Sequence, residues 1–105
     1  MTPNEYQSKA FETVTTESWN LEYLTLGLTS EAGEVAGKVK KIIRGDYTLE
    51  DIAVPLANEV GDTIWYCSQI LKYLGIPLET VMRNNIQKLQ ARKQNNTIKG
   101  SGDER

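Results

Sequence analysis

Histidine is absent from this 105-residue chain, which removes the imidazole general base, the Ser-His-Asp triad and histidine-rich zinc sites. A single cysteine, Cys67, excludes an intramolecular disulfide and a multi-cysteine metal centre, and reads as a small buried hydrophobe. No apolar run approaches the ~18 residues that span a bilayer, so a membrane is not an expected partner. Nothing resembles a secretory peptide, and a reducing cytoplasm is the expected compartment. Proline is scarce at 3 residues, against 39% hydrophobic and 25% charged residues, a composition that folds. A mass of 11.8 kDa suits one domain, because two separate cores would each be starved.

Neither sign of charge dominates: 12 Lys and Arg face 14 Asp and Glu, so no global field draws in nucleic acid. The distribution is more telling. Between Glu79 and Asp103 there is no acid, while Arg83, Lys88, Arg92, Lys93 and Lys99 are basic. Glu31, Glu34, Glu59 and Asp62 form two acidic pairs earlier in the chain.

Helical periodicity runs through the sequence. A first helix is expected over about 4–16, with Pro3 at its opening turn and Tyr6, Ala10, Phe11 and Val14 on one side. Leu21, Leu24, Leu28, Val35, Val39 and Ile42 then recur at helical intervals, up to a stop at Arg44-Gly45. A third helix is expected over 49–74, with Pro55 kinking it or setting its effective start, and Gly75-Ile76-Pro77 ending it. A fourth follows from Pro77 to about Gln94, and the polar remainder, 95–105, reads as a tail. The fold class is therefore all-α, four main helices in an antiparallel bundle. The apolar girth of Ile64 to Leu74 exceeds what a two-layer hairpin covers, so a homo-oligomer, dimer or tetramer, is expected to complete the bundle.

Residues three apart on a helix project from one face, so Glu31 with Glu34, and Glu59 with Asp62, each present a carboxylate pair. Antiparallel packing of the two helices can bring the pairs opposite each other. Crowded carboxylates take up protons or recruit cations, and an oxygen-only donor set suits Mg²⁺, with Mn²⁺ an alternative of the same class. Gly33 and Gly61 lie inside the pairs and Gly27 and Gly37 flank the first, which suggests close backbone approach offsetting a cost of about 1 kcal/mol per interior helical glycine. The competing reading is an acidic face paired with Lys38, Lys40 and Lys41, Lys38 forming an intrahelical ion pair with Glu34.

Glu31-Ala32-Gly33-Glu34-Val35, with 24 residues between Glu34 and the following Glu59-Val60-Gly61-Asp62, resembles the ExxE and ExxD pattern of the MazG-like nucleoside triphosphate pyrophosphohydrolases. Asn85-Ile86-Gln87-Lys88-Leu89-Gln90-Ala91-Arg92 is similar to the NxxKxxxR segment of that family. The resemblance implies a MazG-like helical domain over 1–94, with hydrolysis of a nucleoside triphosphate between the α and β phosphates. It implies that Glu31, Glu34, Glu59 and Asp62 are the Mg²⁺ ligands and catalytic carboxylates, with one of them polarising water instead. Asn85, Lys88 and Arg92, at i, i+3 and i+7, would bind substrate, Lys88 also stabilising transition-state charge. The ending Gly100-Ser101-Gly102-Asp103-Glu104-Arg105 is similar to a GxGDxR ending in some stand-alone members, an arm in which Lys99 or Arg105 would meet phosphate.

Among Phe11, Trp19, Tyr23, Trp65 and Tyr66, all of them candidates for stacking and for core, Trp19 with Asn20 at a helix junction is the favoured base pocket. The alternative function is a non-catalytic helical interaction module, using the basic fourth helix for a partner and requiring no metal.

Overall fold

The computed structural model describes residues 1–103; Glu104 and Arg105, the latter a candidate phosphate contact, lie outside the described residues. The chain forms α1 (Pro3–Phe11), α2 (Leu21–Ile43), α3 (Leu49–Tyr73) and α4 (Leu78–Gln94), with a 3₁₀ turn at Thr16–Ser18. No strand occurs among the described residues.

Local chemistry sets the boundaries. Thr2 and Glu5 cap α1 reciprocally, with Pro3 in its opening turn. The helix stops at Phe11, short of the expected end near residue 16. Thr13 turns its hydroxyl back onto the Ala10 carbonyl at 2.7 Å, and Thr15 and Ser18 cap each other to close the 3₁₀ turn. The β-branched run 13–16 thus spends its hydroxyls on turns that compete with helix. Asn20 caps α2 by accepting from the Tyr23 amide at 2.8 Å. Thr48 and Asp51 form a third capping box at the head of α3, and the helix runs on through Pro55 from Leu49. α3 stops at Gly75, whose φ of 74° lets Ile76 N–H reach the Leu71 carbonyl at 2.9 Å.

α2 and α3 pack as the main hairpin, with Leu24 and Ile52 buried. The closest approach is at Gly27: a Cβ there would stand 2.1 Å from a Tyr66 ring carbon, so the absence of a side chain is what lets Tyr66 lie on α2. Gly33, Gly37 and Gly61 face open space instead, which corrects the expectation of close backbone contact at those positions.

α1 lies on the C-terminal half of α3 through buried Gln7. Its amide nitrogen donates to the carbonyls of Ser68 and Ile76, both at 3.1 Å, and its Oε1 accepts from Leu78 N–H at 3.0 Å. Pro77 offers α4 no side-chain cap, so Gln7 and Asn4 of α1 cap that helix instead, Asn4 accepting from Glu79 N–H at 3.0 Å. Beyond this junction α4 is open: Met82, Ile86 and Leu89 are exposed.

The single chain carries too much surface. It exposes 7599 Å², against roughly 5,900 Å² for a folded monomer of its mass. Its radius of gyration is 16.5 Å, where a chain of this length packs to roughly 13 Å. Cys67, expected to be buried, is exposed on the same flank of α3 as Val60 and Ile64, because no element among the described residues covers that flank; crowding by neighbouring atoms still pushes its thiol up.

Three substitutions test this framework. Gln7→Ala leaves buried groups on α3 and α4 without their partner and should lower the unfolding free energy by about 3 kcal/mol in urea titration. Gly27→Ala should cost about 1–3 kcal/mol by overpacking against Tyr66, whereas Gly33→Ala should be neutral or stabilising.

Candidate metal centre

Three carboxylates converge between α2 and α3. Glu31, Glu59 and Asp62 each place an oxygen so that all three lie within 4.8 Å of one another. Glu31 and Glu59 are half-buried at the line where the helices meet, and Asp62 stands one turn along α3 toward solvent. Glu34, the fourth expected member, is exposed one turn along α2 and is not in this group. Partial burial, a hydrogen bond shared with Glu59, and the charges of Asp62, Glu59 and Glu34 hold the Glu31 carboxyl above its ordinary value.

Among the described residues, the cation paired with this group is Lys38, whose Nζ lies 3.7 Å from Glu59 Oε1. The expected intrahelical pairing of Lys38 with Glu34 is therefore replaced by one across the hairpin. Lys38 sits seven residues after Glu31, two turns along the same face, and that spacing is the signal by which the cross-helix pair was findable.

Aromatic groups wall the cluster. A cavity of about 330 Å³ is lined by Glu31, Asp62, Trp65 and Tyr66. The two rings meet edge to face at 4.9 Å, and the Trp65 indole donates to Thr13 Oγ1 at 2.9 Å. Burial, then Tyr23 and Glu31, raise the Tyr66 phenol. On α1, burial and the charge of Asp62 raise the Tyr6 phenol, so α1 also closes on the site. Toward the α2–α3 turn, a second cavity of about 550 Å³ is lined by Lys38, Lys41, Tyr47, Asp51, Ile52 and Pro55. Lys38 thus joins the acidic cluster to a cavity that holds two lysines, a feature with no sequence motif to mark it.

Other expected site residues lie elsewhere. Trp19 packs on Phe11 at 4.9 Å and on Tyr73 at 5.3 Å, and Asn20 is spent capping α2. Eleven residues of helix separate Asn20 from Glu31, a rise of roughly 16 Å, so this pair does not flank the cluster. Asn85 is exposed and Lys88 half-buried on α4, and no α4 residue lines either cavity at the cluster. Arg92, expected to meet phosphate, is 5% exposed, because residues 95–103 fold back over it and Asp103 takes its guanidinium.

No helix among the described residues is long and apolar enough to cross a membrane. Residues 20–97 match the MazG nucleotide pyrophosphohydrolase domain, a span holding both acidic pairs and the α4 segment. The gene 37 protein of Mycobacterium phage L5 is 48% identical over 88 residues, covering 81% of this chain and 76% of the phage protein. No solved structure matches the chain. The matched span takes in most of the chain and the whole α2–α3 hairpin that gathers the carboxylates, and the chain belongs to the MazG nucleotide pyrophosphohydrolase family.

Proposed function

We propose that the chain hydrolyses nucleoside triphosphates between the α and β phosphates, releasing a nucleoside monophosphate and pyrophosphate, with Mg²⁺ or Mn²⁺ held by Glu31, Glu59 and Asp62. The observation that carries this reading is the convergence of three carboxylate oxygens within 4.8 Å. The donors fit a hard divalent cation: all are oxygens, and among the described residues their mutual repulsion is answered by Lys38 at 3.7 Å from Glu59. A bound Mg²⁺ supplies charge to offset phosphate and acidifies a coordinated water, so no imidazole base is required.

The chain's own residues do the rest. Glu34, one turn from Glu31 and outside the three-carboxylate group, is left to accept a proton from the attacking water. Trp65 and Tyr66 wall the cavity above Glu31 and Asp62 and offer apolar surface to the nucleoside. Lys38 and Lys41 bring positive charge to the adjoining cavity, where phosphate oxygens gain charge-assisted hydrogen bonds. Asn85 and Lys88 of α4 are assigned to the phosphates, Lys88 to the charge that grows in the transition state. A helical interaction module would need no such carboxylate group, and nothing in α4 favours that reading over this one. Nucleotide-pool housekeeping in the cytoplasm, where exposed Cys67 stays reduced, is the setting that fits.

We also propose a homo-oligomer. The surface excess of about 1,700 Å² exceeds the roughly 800 Å² that each partner buries in a standard interface and suits an obligate one. Val60, Ile64 and Cys67 recur at intervals of four and three on the flank of α3 opposite Asp62, so a second copy can cover them and leave the acidic mouth open.

Mixed with individual triphosphates and Mg²⁺, the protein should release pyrophosphate. Glu59→Gln should cut kcat at least about a hundredfold with helical circular dichroism unchanged. Orthophosphate as the sole product, or full turnover by Glu59→Gln, contradicts the reading. Light scattering should give at least twice 11.8 kDa, and Ile64→Glu should lower it; a monomer at micromolar concentration removes the oligomer.

A further inference from the structure

Residues 95–103 do not trail away from α4. Asn96, at φ 57°, turns the chain, and Thr97 N–H returns to the Arg92 carbonyl at 2.8 Å. A further turn, Gly100 N–H to the Thr97 carbonyl at 3.1 Å, aims the segment back along the helix. It ends with Asp103 on two α4 cations. Lys88 Nζ donates to Asp103 Oδ1 at 2.5 Å. Arg92 Nη2 donates to the same oxygen at 3.2 Å and to the Asp103 carbonyl at 2.6 Å.

The two cations are unequal. The Arg92 side chain is 6% exposed, and its buried Nε has no hydrogen-bond partner. A guanidinium held this way anchors the returning segment and presents no open fork to a ligand. The Lys88 side chain is 36% exposed, and an ammonium has three donors, of which Asp103 takes one. Lysine is a flexible stem that by itself wanders among rotamers; a fixed carboxylate acceptor removes much of that freedom before any ligand arrives.

We propose that Asp103 is a positioning residue: anchored by Arg92, it holds the Lys88 ammonium in place so that its remaining donors meet a substrate phosphate oxygen. This rests on the hydrolase reading and on the phosphate role of Lys88, and reassigns Arg92 from phosphate contact to anchor. The Lys88 and Arg92 hydrogen bonds that hold the Asp103 carboxyl below its ordinary value keep the acceptor ionised for this task. The sequence marks the pair only as separate segments, a cationic stripe and a GxGD ending, with no spacing that joins them.

The test uses the full-length chain with Asp103→Asn and Asp103→Glu. Asp103→Asn should raise KM for the triphosphate about tenfold, the factor carried by one charge-assisted hydrogen bond, with a smaller change in kcat. Tryptic cleavage after Lys99 should quicken in the same variant, a readout that needs no activity. Asp103→Glu should restore part of both. With wild-type activity present, unchanged KM in Asp103→Asn overturns the positioning role, and a lowered KM overturns it in favour of a carboxylate that competes with substrate. Unchanged cleavage after Lys99 overturns the anchoring by Arg92. A wild-type protein that releases pyrophosphate from no triphosphate instead fails the hydrolase reading itself, and the phosphate role of Lys88 goes with it.

Discussion

Like charges do not gather on a protein without something to hold them, and the α2–α3 hairpin holds three. Glu31 and Glu59 project into the seam between the helices, and Asp62 stands one turn along. Each helix carries its carboxylates on a backbone fixed by capping: Asn20 at the head of α2, the Thr48–Asp51 box at the head of α3. Packing around Leu24 and Ile52 then clamps the two rods together. Partial burial first, then the hydrogen bond with Glu59 and the neighbouring charges, hold the Glu31 carboxyl above its ordinary value, while Lys38 pairs with Glu59. The rest of the architecture serves that seam. Gly27 makes room for Tyr66, Thr13 orients Trp65, and α1 closes behind them through Gln7.

The same hairpin explains the molecule's exposed apolar surface. A pair of helices has two broad faces, and only one can be occupied by the acidic mouth and its aromatic walls. The opposite flank presents Val60, Ile64 and Cys67 to solvent, and α4 presents Met82, Ile86 and Leu89. Surface of this kind is what the proposed self-association would cover. Separation of the apolar flank from the acidic face would then leave substrate access open.

Much of this was legible in the sequence, and the failures have physical causes. The i, i+3 acidic pairs were readable because a helix converts that spacing into a shared face whatever surrounds it. The helix ends at Gly45 and Gly75 were readable because a helical stripe stops there at a glycine. Cys67 was misjudged because residue type predicts burial, whereas the described residues leave its flank of α3 uncovered. Trp19 and Asn20 were misplaced because a helix junction near an acidic helix in sequence lies about eleven residues of rise away in space. The glycines at 33, 37 and 61 facing open space and the fold-back of Asp103 depend on tertiary placement that no local pattern encodes.

The central claim is that Glu31, Glu59 and Asp62 bind one divalent cation between α2 and α3. Anomalous diffraction from crystals soaked in Mn²⁺ tests it most directly. The account predicts a manganese peak within bonding distance of carboxylate oxygens from all three residues. A peak held by other side chains, or none at concentrations that saturate activity, would contradict it.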